Sequence, residues 1–413
     1  MDFTYGRENH TCDVLIVGGG IGGLTAAVSI KEQDPALNVV IVEKQTAGYS
    51  GKANKGGGVL QYFDLTRIKP EEFVAYHANA IGCFLGDQEL MATYVSMNNL
   101  MFDKLVEWGA RLPKREDGSY AVIPTGPMTA IIGIDLDITL KVRQTAEKMG
   151  VKIFDKVTVS DLLTAGGKIA GAVGYSILDG TFHTFSAKAV VLATGSQNYR
   201  VGSMWSSGRG DGIAAAYRAG AEMRNTEFGN FAQLVKIRSH QEVVYGENFM
   251  YNKQDEHVTK NFRTGPEPDI SSTAVREWYR QMRAGQGPIT LKVERQSGGG
   301  LSGMWDRPYG QTFWRLNEES AAAVDTDTEV CPMLIGEQSP VKTGHDMQTT
   351  IPGLYAVGDV SYCGSAAPGA VPAPPGRNRG SGILNAVFAG MMCAKSAAET
   401  AHKTALPPVD EKL

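Results

Sequence analysis

Residues 13–23 read Asp-Val-Leu-Ile-Val-Gly-Gly-Gly-Ile-Gly-Gly, and few local sequences restrict a fold so tightly. Val14 to Val17 form a short apolar run suited to a strand buried on both faces. Gly18, Gly20 and Gly23 follow with G-x-G-x-x-G spacing. The first glycine permits a tight turn, the second lets backbone approach a pyrophosphate, and the third lets a helix pack on the sheet. A helix opening near Gly22 would aim its N–H groups and its dipole at the phosphates. A second strand, Asn38 to Val42, runs into Glu43-Lys44. Glu43 lies 20 positions after Gly23, where a carboxylate binds both ribose hydroxyls and repels a 2′-phosphate. A glycine triplet alone is weak. Strand, triplet, helix, strand and acid in this order point to a dinucleotide.

The 413 residues leave room for roughly two to three domains of about 150 residues each. The 49 glycines exceed the usual share of about 7% and fit close approaches of backbone to a large ligand. A net charge of −4 argues against general nucleic-acid binding. Cys12, Cys83, Cys331, Cys363 and Cys393 form no C-x-x-C pair, which argues against a disulfide framework or an iron–sulfur site within the chain. The seven histidines are scattered, so no metal site is expected. No leader precedes the first strand and no apolar run approaches about 18 residues. A soluble, cytoplasmic protein without a transmembrane segment is therefore expected.

A glycine-rich loop at 48–60, including Ser50, Gly51 and Gly57, follows the first βαβ unit. Residues 71–109 read as helical, as do Ile138 to Met149. Val151 to Thr194 carry short alternating strands broken by Ala-Gly-Gly-Lys and Leu-Asp-Gly turns, the pattern of a β-meander. It ends in a buried strand, Ala189 to Leu192, and Ala193-Thr194-Gly195. The character changes over 226–340, where aromatic and charged clusters surround a helix near Ser272 to Met282. Apolar patterning returns at Gly353-Leu-Tyr-Ala-Val-Gly358-Asp359 and in a helix from Gly382 to about Glu399. The expected organisation is a binding domain split between 1–225 and 341–405, an inserted domain at 226–340, and a tail at 406–413.

A second glycine-terminated strand, a meander and a late Gly-Asp exceed what NAD needs, and suit the longer FAD. The chain resembles the fumarate reductase and succinate dehydrogenase flavoprotein superfamily over most of residues 12–400, and within it the adenylylsulfate reductase branch. The resemblance is carried by Gly208-Arg-Gly-Asp211-Gly with the helix after it, by Gly285-Gln-Gly-Pro288, by Ile351 to Asp359, and by Arg377-Asn-Arg379-Gly-Ser-Gly-Ile-Leu384. It implies an α/β fold: a Rossmann-like FAD domain of glutathione-reductase type, with a β-meander and an inserted α+β capping domain. It further implies FAD contacts from Gly18, Gly20, Gly23, Glu43, Lys44, Ser50, Gly51, Gly57, Val157, Ala193, Thr194, Gly195, Asp211, Gly358 and Asp359. Gly382, Ile383 and Leu384 would open a helix toward the flavin, where a helix N-terminus stabilises negative charge.

Three departures bear on chemistry. Ser50 stands where covalent members carry the FAD-linking histidine, which implies non-covalent FAD. The two substrate histidines of the dicarboxylate enzymes fall near Ala232 and near Ile335 or Gly336, so fumarate, succinate and aspartate are not the expected substrates. His345 is close but off register, in keeping with a surface loop. The chain also ends where multisubunit relatives continue into a helical domain. Arg379 matches the arginine that grips a substrate carboxylate, with Arg377 beside it, and a guanidinium suits an anion. Arg238, His240, Tyr251 and Tyr309 stay open as proton donors, and Trp205, Trp305 and Trp314 add aromatic character to the cap. The leading expectation is an FAD-dependent oxidoreductase moving a hydride to or from a small organic substrate, most simply at an activated C–C bond. The alternative is an electron-transfer subunit working with a ferredoxin-like iron–sulfur partner. Self-association is left open.

Overall fold

A computed structural model describes residues 6–54, 58–80, 84, 86–124, 127–135, 137–197, 209–224, 226, 230–237, 243–244, 250–258, 260, 270–292, 328–336, 340–362 and 381–407. In chain order, β1 (Arg7–Val17), α1 (Ile21–Gln33) and β2 (Val39–Glu43) form the opening unit. Next come β3 (Val59–Tyr62), α2 (Pro70–Ala80), α3 (Gln88–Ser96), α4 (Asn98–Glu107), β4 (Ile123–Pro124), β5 (Ala130–Gly133) and α5 (Ile138–Lys148). Then follow β6 (Lys152–Asp155), β7 (Val157–Ala165), β8 (Lys168–Ser176), β9 (Phe182–Leu192) and α6 (Asp211–Arg218). A second group holds β10 (Asn230–Lys236), β11 (Val243–Val244), β12 (Met250–Tyr251), α7 (Ile270–Arg283), β13 (Thr290–Leu291) and β14 (Thr328–Gly336). The chain closes with β15 (Val341–Lys342), β16 (Leu354–Ala356), β17 (Ser361–Tyr362) and α8 (Ser381–Lys403).

The main sheet runs β6-β2-β1-β9-β8-β7, with β16 also on β9. β9 serves two purposes. Its first half pairs antiparallel with β8 in the meander, through Phe182↔Tyr175 to Ser186↔Gly171. Its last residues pair parallel with β16, through Val190↔Leu354 to Leu192↔Ala356. The expected meander is therefore continuous with the parallel sheet. β6 leaves the meander entirely and lies parallel to β2 at the sheet edge.

Val14, Leu15 and Ile16 are fully buried because helices cover one sheet face and the meander with α6 covers the other. α1 is buried over Ile21 to Lys31, wedged between the sheet and α8. The two helices approach so closely that a Cβ on Gly390 would stand 2.8 Å from the Gly22 carbonyl oxygen. The stretch 71–109, expected to be helical, holds three helices. Asp87 caps α3 by accepting from the Leu90 N–H at 2.9 Å, and Met97 ends α3 and begins α4. An aspartate side chain competes for backbone N–H groups and so starts a new helix.

The second sheet, β11-β10-β14-β13-β12, has its own small core of Leu234, Met250, Ala274, Ile289, Leu291 and Val330, with α7 against it. The helix expected near Ser272 to Met282 is α7, and Trp278 fastens it by donating Nε1–H to the Val330 carbonyl at 2.8 Å. No helix among the described residues is long and apolar enough to cross a membrane.

Candidate functional site

The carboxyl ends of β1, β2, β9 and β16 lie side by side because those strands are parallel neighbours. Ligands of open α/β sheets bind at such an edge. The edge is stitched by backbone bonds: Gly18 N–H to Val42 O at 2.8 Å, Ala193 N–H to Val17 O at 2.7 Å, and Val357 N–H to Leu192 O at 2.8 Å. Gly18 has φ +109°, and a Cβ there would stand 2.4 Å from the Ala193 carbonyl oxygen. A Cβ on Gly23 would stand 2.1 Å from the Gly18 carbonyl oxygen. Both glycines are required by the turn itself.

Gly20 differs. It precedes α1 in extended conformation, gives no side-chain cap, and leaves the first N–H groups of α1 without one. A Cβ there would meet only the Gly51 Cα, at 3.9 Å. Gly20 and Gly51 lie in contact at a helix N-terminus, where the sheet-edge cleft carries no side chains, a setting that suits a pyrophosphate.

Glu43 ends β2, 7% exposed. It accepts from Gly19 N–H at 2.7 Å on one oxygen and from Gln45 N–H at 2.8 Å on the other. Each carboxylate oxygen keeps a second lone pair, so ribose binding remains compatible. Next to it Lys44 Nζ lies 3.1 Å from Asp211 in the first turn of α6. Val157, at the start of β7, reaches the same end because Lys156 N–H bonds Gln45 O at 3.0 Å.

The loop after β2 is clamped from below. Gly48 N–H bonds Gly19 O at 2.8 Å, and Thr139 Oγ1 donates to Gly48 O at 2.6 Å. Asp155 accepts from Ala47 N–H at 2.7 Å, while Arg143 holds both Ala47 O at 3.0 Å and Asp155 at 2.9 Å. Burial works against the Arg143 charge, but Glu147 and Asp155 outweigh it and hold the guanidinium above its ordinary value. Ser50 Oγ donates to Thr46 O at 2.9 Å, inside this clamped loop.

At the opposite end of the cleft, Asp359 follows β16 in a short turn begun by Gly358 at φ +67°. Lys52 Nζ lies 3.3 Å from Asp359 and 2.6 Å from Ser196 Oγ, just beyond Gly195. Residue spacing offers no sign of this trio, since 307 positions separate Lys52 from Asp359. Gly382, Ile383 and Leu384 lie in the first turn of α8. Gly382 is exposed, and a Cβ there would meet nothing within 4 Å.

Among the buried polar side chains of the described residues that lack a protein partner, two lie on segments expected to meet the cofactor. Thr194 Oγ1 accepts and donates nothing, and both amide atoms of Asn385 are likewise unpaired at 0% exposure. Orphaned buried groups are costly unless a ligand satisfies them. With the side-chain-free N-terminus of α1 at Gly20 they give an extended cofactor unclaimed partners, so the residues present fit FAD.

Arg379, Arg377, Arg238, His240, Tyr309, Trp205, Trp305, Trp314 and Gly57 lie outside the described residues. Tyr251 is half-buried on β12, its ring 5.1 Å from that of His257. His345 is a surface residue whose Nε2 lies 2.7 Å from Asp87. The positions expected for the missing histidines are brought together: on paired strands, Ala232 faces Leu334, Phe231 faces Ile335 and Asn230 faces Gly336.

A family model described as FAD binding domain matches residues 13–249. The fumarate reductase flavoprotein subunit of Mycobacterium tuberculosis is 26% identical over 380 residues, covering 84% of this chain and 64% of that relative. The chain thus spans slightly less than two thirds of that relative's length. Among solved structures, an E. coli quinol fumarate reductase chain superposes with TM-score 0.78 at 22% identity, over 98% of this chain and 72% of that one. The adenylylsulfate reductase of Archaeoglobus fulgidus superposes with TM-score 0.74 at 20% identity, over 99% and 72%. The two structures share the fold. Since the family model covers more than half of the sequence, and the edge it spans is shaped for that cofactor, the chain belongs to the FAD binding domain family.

Proposed function

We propose that the chain is an FAD-dependent oxidoreductase acting on an activated C–C bond of a small organic substrate. FAD, when bound, supplies the two-electron hydride chemistry. The reading rests chiefly on the first turn of α8, where exposed Gly382 stands before open space beside the orphaned Asn385. The N–H groups of that turn would face negative charge developing at the flavin end of the cleft. Gly18, Gly20 and Gly23 hold the pyrophosphate, Glu43 the ribose, and Asp359 the polyol chain. Ser50, in its clamped loop, leaves the cofactor non-covalent. Arg379 grips the anionic part of the substrate, and the proton donor comes from Arg238, His240, Tyr251 and Tyr309.

The paired β10 and β14 positions offer Ala232, Leu334 and Ile335 where dicarboxylate enzymes would need imidazoles. The lack of imidazoles at these positions favours a substrate larger and less charged than fumarate.

Lys52 adds a cation where the polyol and pyrophosphate would run. Lys52→Met is expected to keep the apo fold and weaken FAD binding at least about tenfold, the scale of one charge-assisted contact. Titration of the apoprotein with FAD, followed by fluorescence, measures it; unchanged affinity removes Lys52 from the cofactor site.

A second reading is an electron-transfer subunit with a ferredoxin-like iron–sulfur partner. It is favoured by the fold shared with adenylylsulfate reductase and by a relative that is itself a flavoprotein subunit. Anaerobic reduction with dithionite, then addition of enoates, quinones, adenylylsulfate and a ferredoxin in turn, separates the two. Reoxidation by an enoate supports the first reading. Reoxidation by the ferredoxin alone overturns it in favour of the second.

A further inference from the structure

Scattered in sequence, three metal-ligating side chains meet at the far end of the main sheet. Glu8 and His10 lie two residues apart on β1 and so share a face, and His183 on β9 is the register partner of Glu8. His10 Nε2 lies 3.0 Å from His183 Nδ1. Glu8 lies 3.5 Å from His10 Nε2 and 3.6 Å from His183 Nδ1. We infer that Glu8, His10 and His183 form a binding site for a divalent transition-metal ion of the zinc, cobalt or nickel type.

The distances carry the inference. Donors at about 2.0–2.2 Å from one tetrahedral ion stand roughly 3.3–3.6 Å from each other. Two sides of the triangle already fall in that range, and the third needs a small parting of the imidazoles. Two imidazoles with one carboxylate are donors of intermediate softness, suited to these ions rather than to magnesium or calcium. Three protein ligands leave a fourth position for water.

The surroundings suit a cation site. The His10 ring is set between Phe154 and Phe185, with centroids 4.7 and 4.8 Å away, so an apolar shell fixes its orientation. The His183 side chain is 8% exposed and His10 15%, while Glu8 is 56% exposed and leaves an entry path. Burial, His183 and Lys152 depress the His10 pKa, with Glu8 opposing. In the absence of an ion the 3.0 Å contact is an N–H···N hydrogen bond. On metal binding the donor ring moves that proton to its other nitrogen, and both facing nitrogens then offer lone pairs. Lys152, 4.6 Å over the Phe154 ring, is the opposing charge, and Glu8 offsets it.

The site is remote from the cofactor edge. Glu8 lies nine residues before Val17 on β1, about 30 Å at strand rise. A metal there would staple the start of β1 to β9, where the parallel sheet gives way to the meander.

The test uses the untagged full chain, stripped with a chelator. Zinc is titrated by calorimetry, and cobalt by its visible absorption, which reports tetrahedral N/O ligation. One equivalent is expected to bind. Exposed Glu8→Gln, which keeps the fold safe, should weaken it at least about tenfold, and His183→Gln should abolish it. FAD content should not change in either variant. No tetrahedral cobalt spectrum in the wild type, or equal zinc affinity in wild type and Glu8→Gln, would overturn the assignment.

Discussion

Gly20→Ala is expected to leave the apo fold intact and to cost the chain its FAD, whereas Gly23→Ala is expected to cost the fold itself. The two positions share a motif but not a constraint. At Gly20 φ is −76° and ψ −178°, a conformation alanine adopts freely. Its new methyl would meet only Gly51 Cα at the ordinary distance of 3.9 Å. The protein therefore has no objection to it, and apo stability should stay within about 0.5 kcal/mol. A methyl there nevertheless stands in the cleft at the N-terminus of α1. If the pyrophosphate runs through that cleft, FAD affinity should fall by about a hundredfold or more, since displacing a charged group from its N–H donors costs several kcal/mol.

At Gly23 the methyl would stand 2.1 Å from the Gly18 carbonyl oxygen, which is backbone and has nowhere to go. A loss above about 4 kcal/mol is expected, with or without cofactor. Gly382→Ala extends the comparison to the flavin end, because its methyl meets nothing in the protein within 4 Å. Denaturation of the apo forms and FAD titration measure both halves. Wild-type affinity in Gly20→Ala would show that the pyrophosphate lies elsewhere.

How far this site was legible from sequence depends on how local each part is. Gly18, Gly20, Gly23 and Glu43 belong to one βαβ unit, where turn, helix start and strand end follow at fixed spacing. The late Gly358-Asp359 and the first turn of α8 were legible for the same reason, because each stands at an element boundary. The supports were not. Arg143 and Asp155 clamp Ala47 from α5 and β6, across about a hundred residues of chain. Lys52, Ser196 and Asp359 meet only because β9 and β16 are sheet neighbours.

The meeting of Glu8, His10 and His183 was hidden in the same way. His10 and His183 are 173 positions apart, and only the β1–β9 register shows that they touch. Periodicity marked 71–109 as helical but not its divisions, which capping by Asp87 and the turn at Met97 impose. Placing Ala232 opposite Leu334 needed strand pairing, which local spacing does not show.

Acidification is expected to destabilise the chain between about pH 6.5 and pH 4 through His77. This residue is 1% exposed on α2, with the Phe73 ring 5.8 Å away. Neither ring nitrogen has a hydrogen-bond partner among the described residues. Burial lowers its pKa from 6.5 to about 4. An unfolded chain therefore takes up a proton below about 6.5, and the folded chain takes one up only near 4. Stability is unaffected above pH 6.5, falls as pH drops through the interval, and levels off below it. At about 1.4 kcal/mol per unit the whole difference is about 3 kcal/mol, and at pH 5 about 2 kcal/mol. His77→Leu removes the proton-binding group and keeps a good helix former. Denaturant unfolding at pH 7.5 and pH 5 gives the stability lost by each protein, and the variant should lose about 2 kcal/mol less. His10 and His257, also depressed by burial, contribute equally to both proteins and cancel in that comparison. If both proteins lose the same amount, His77 is already protonated in the fold or has a partner that accepts its charge.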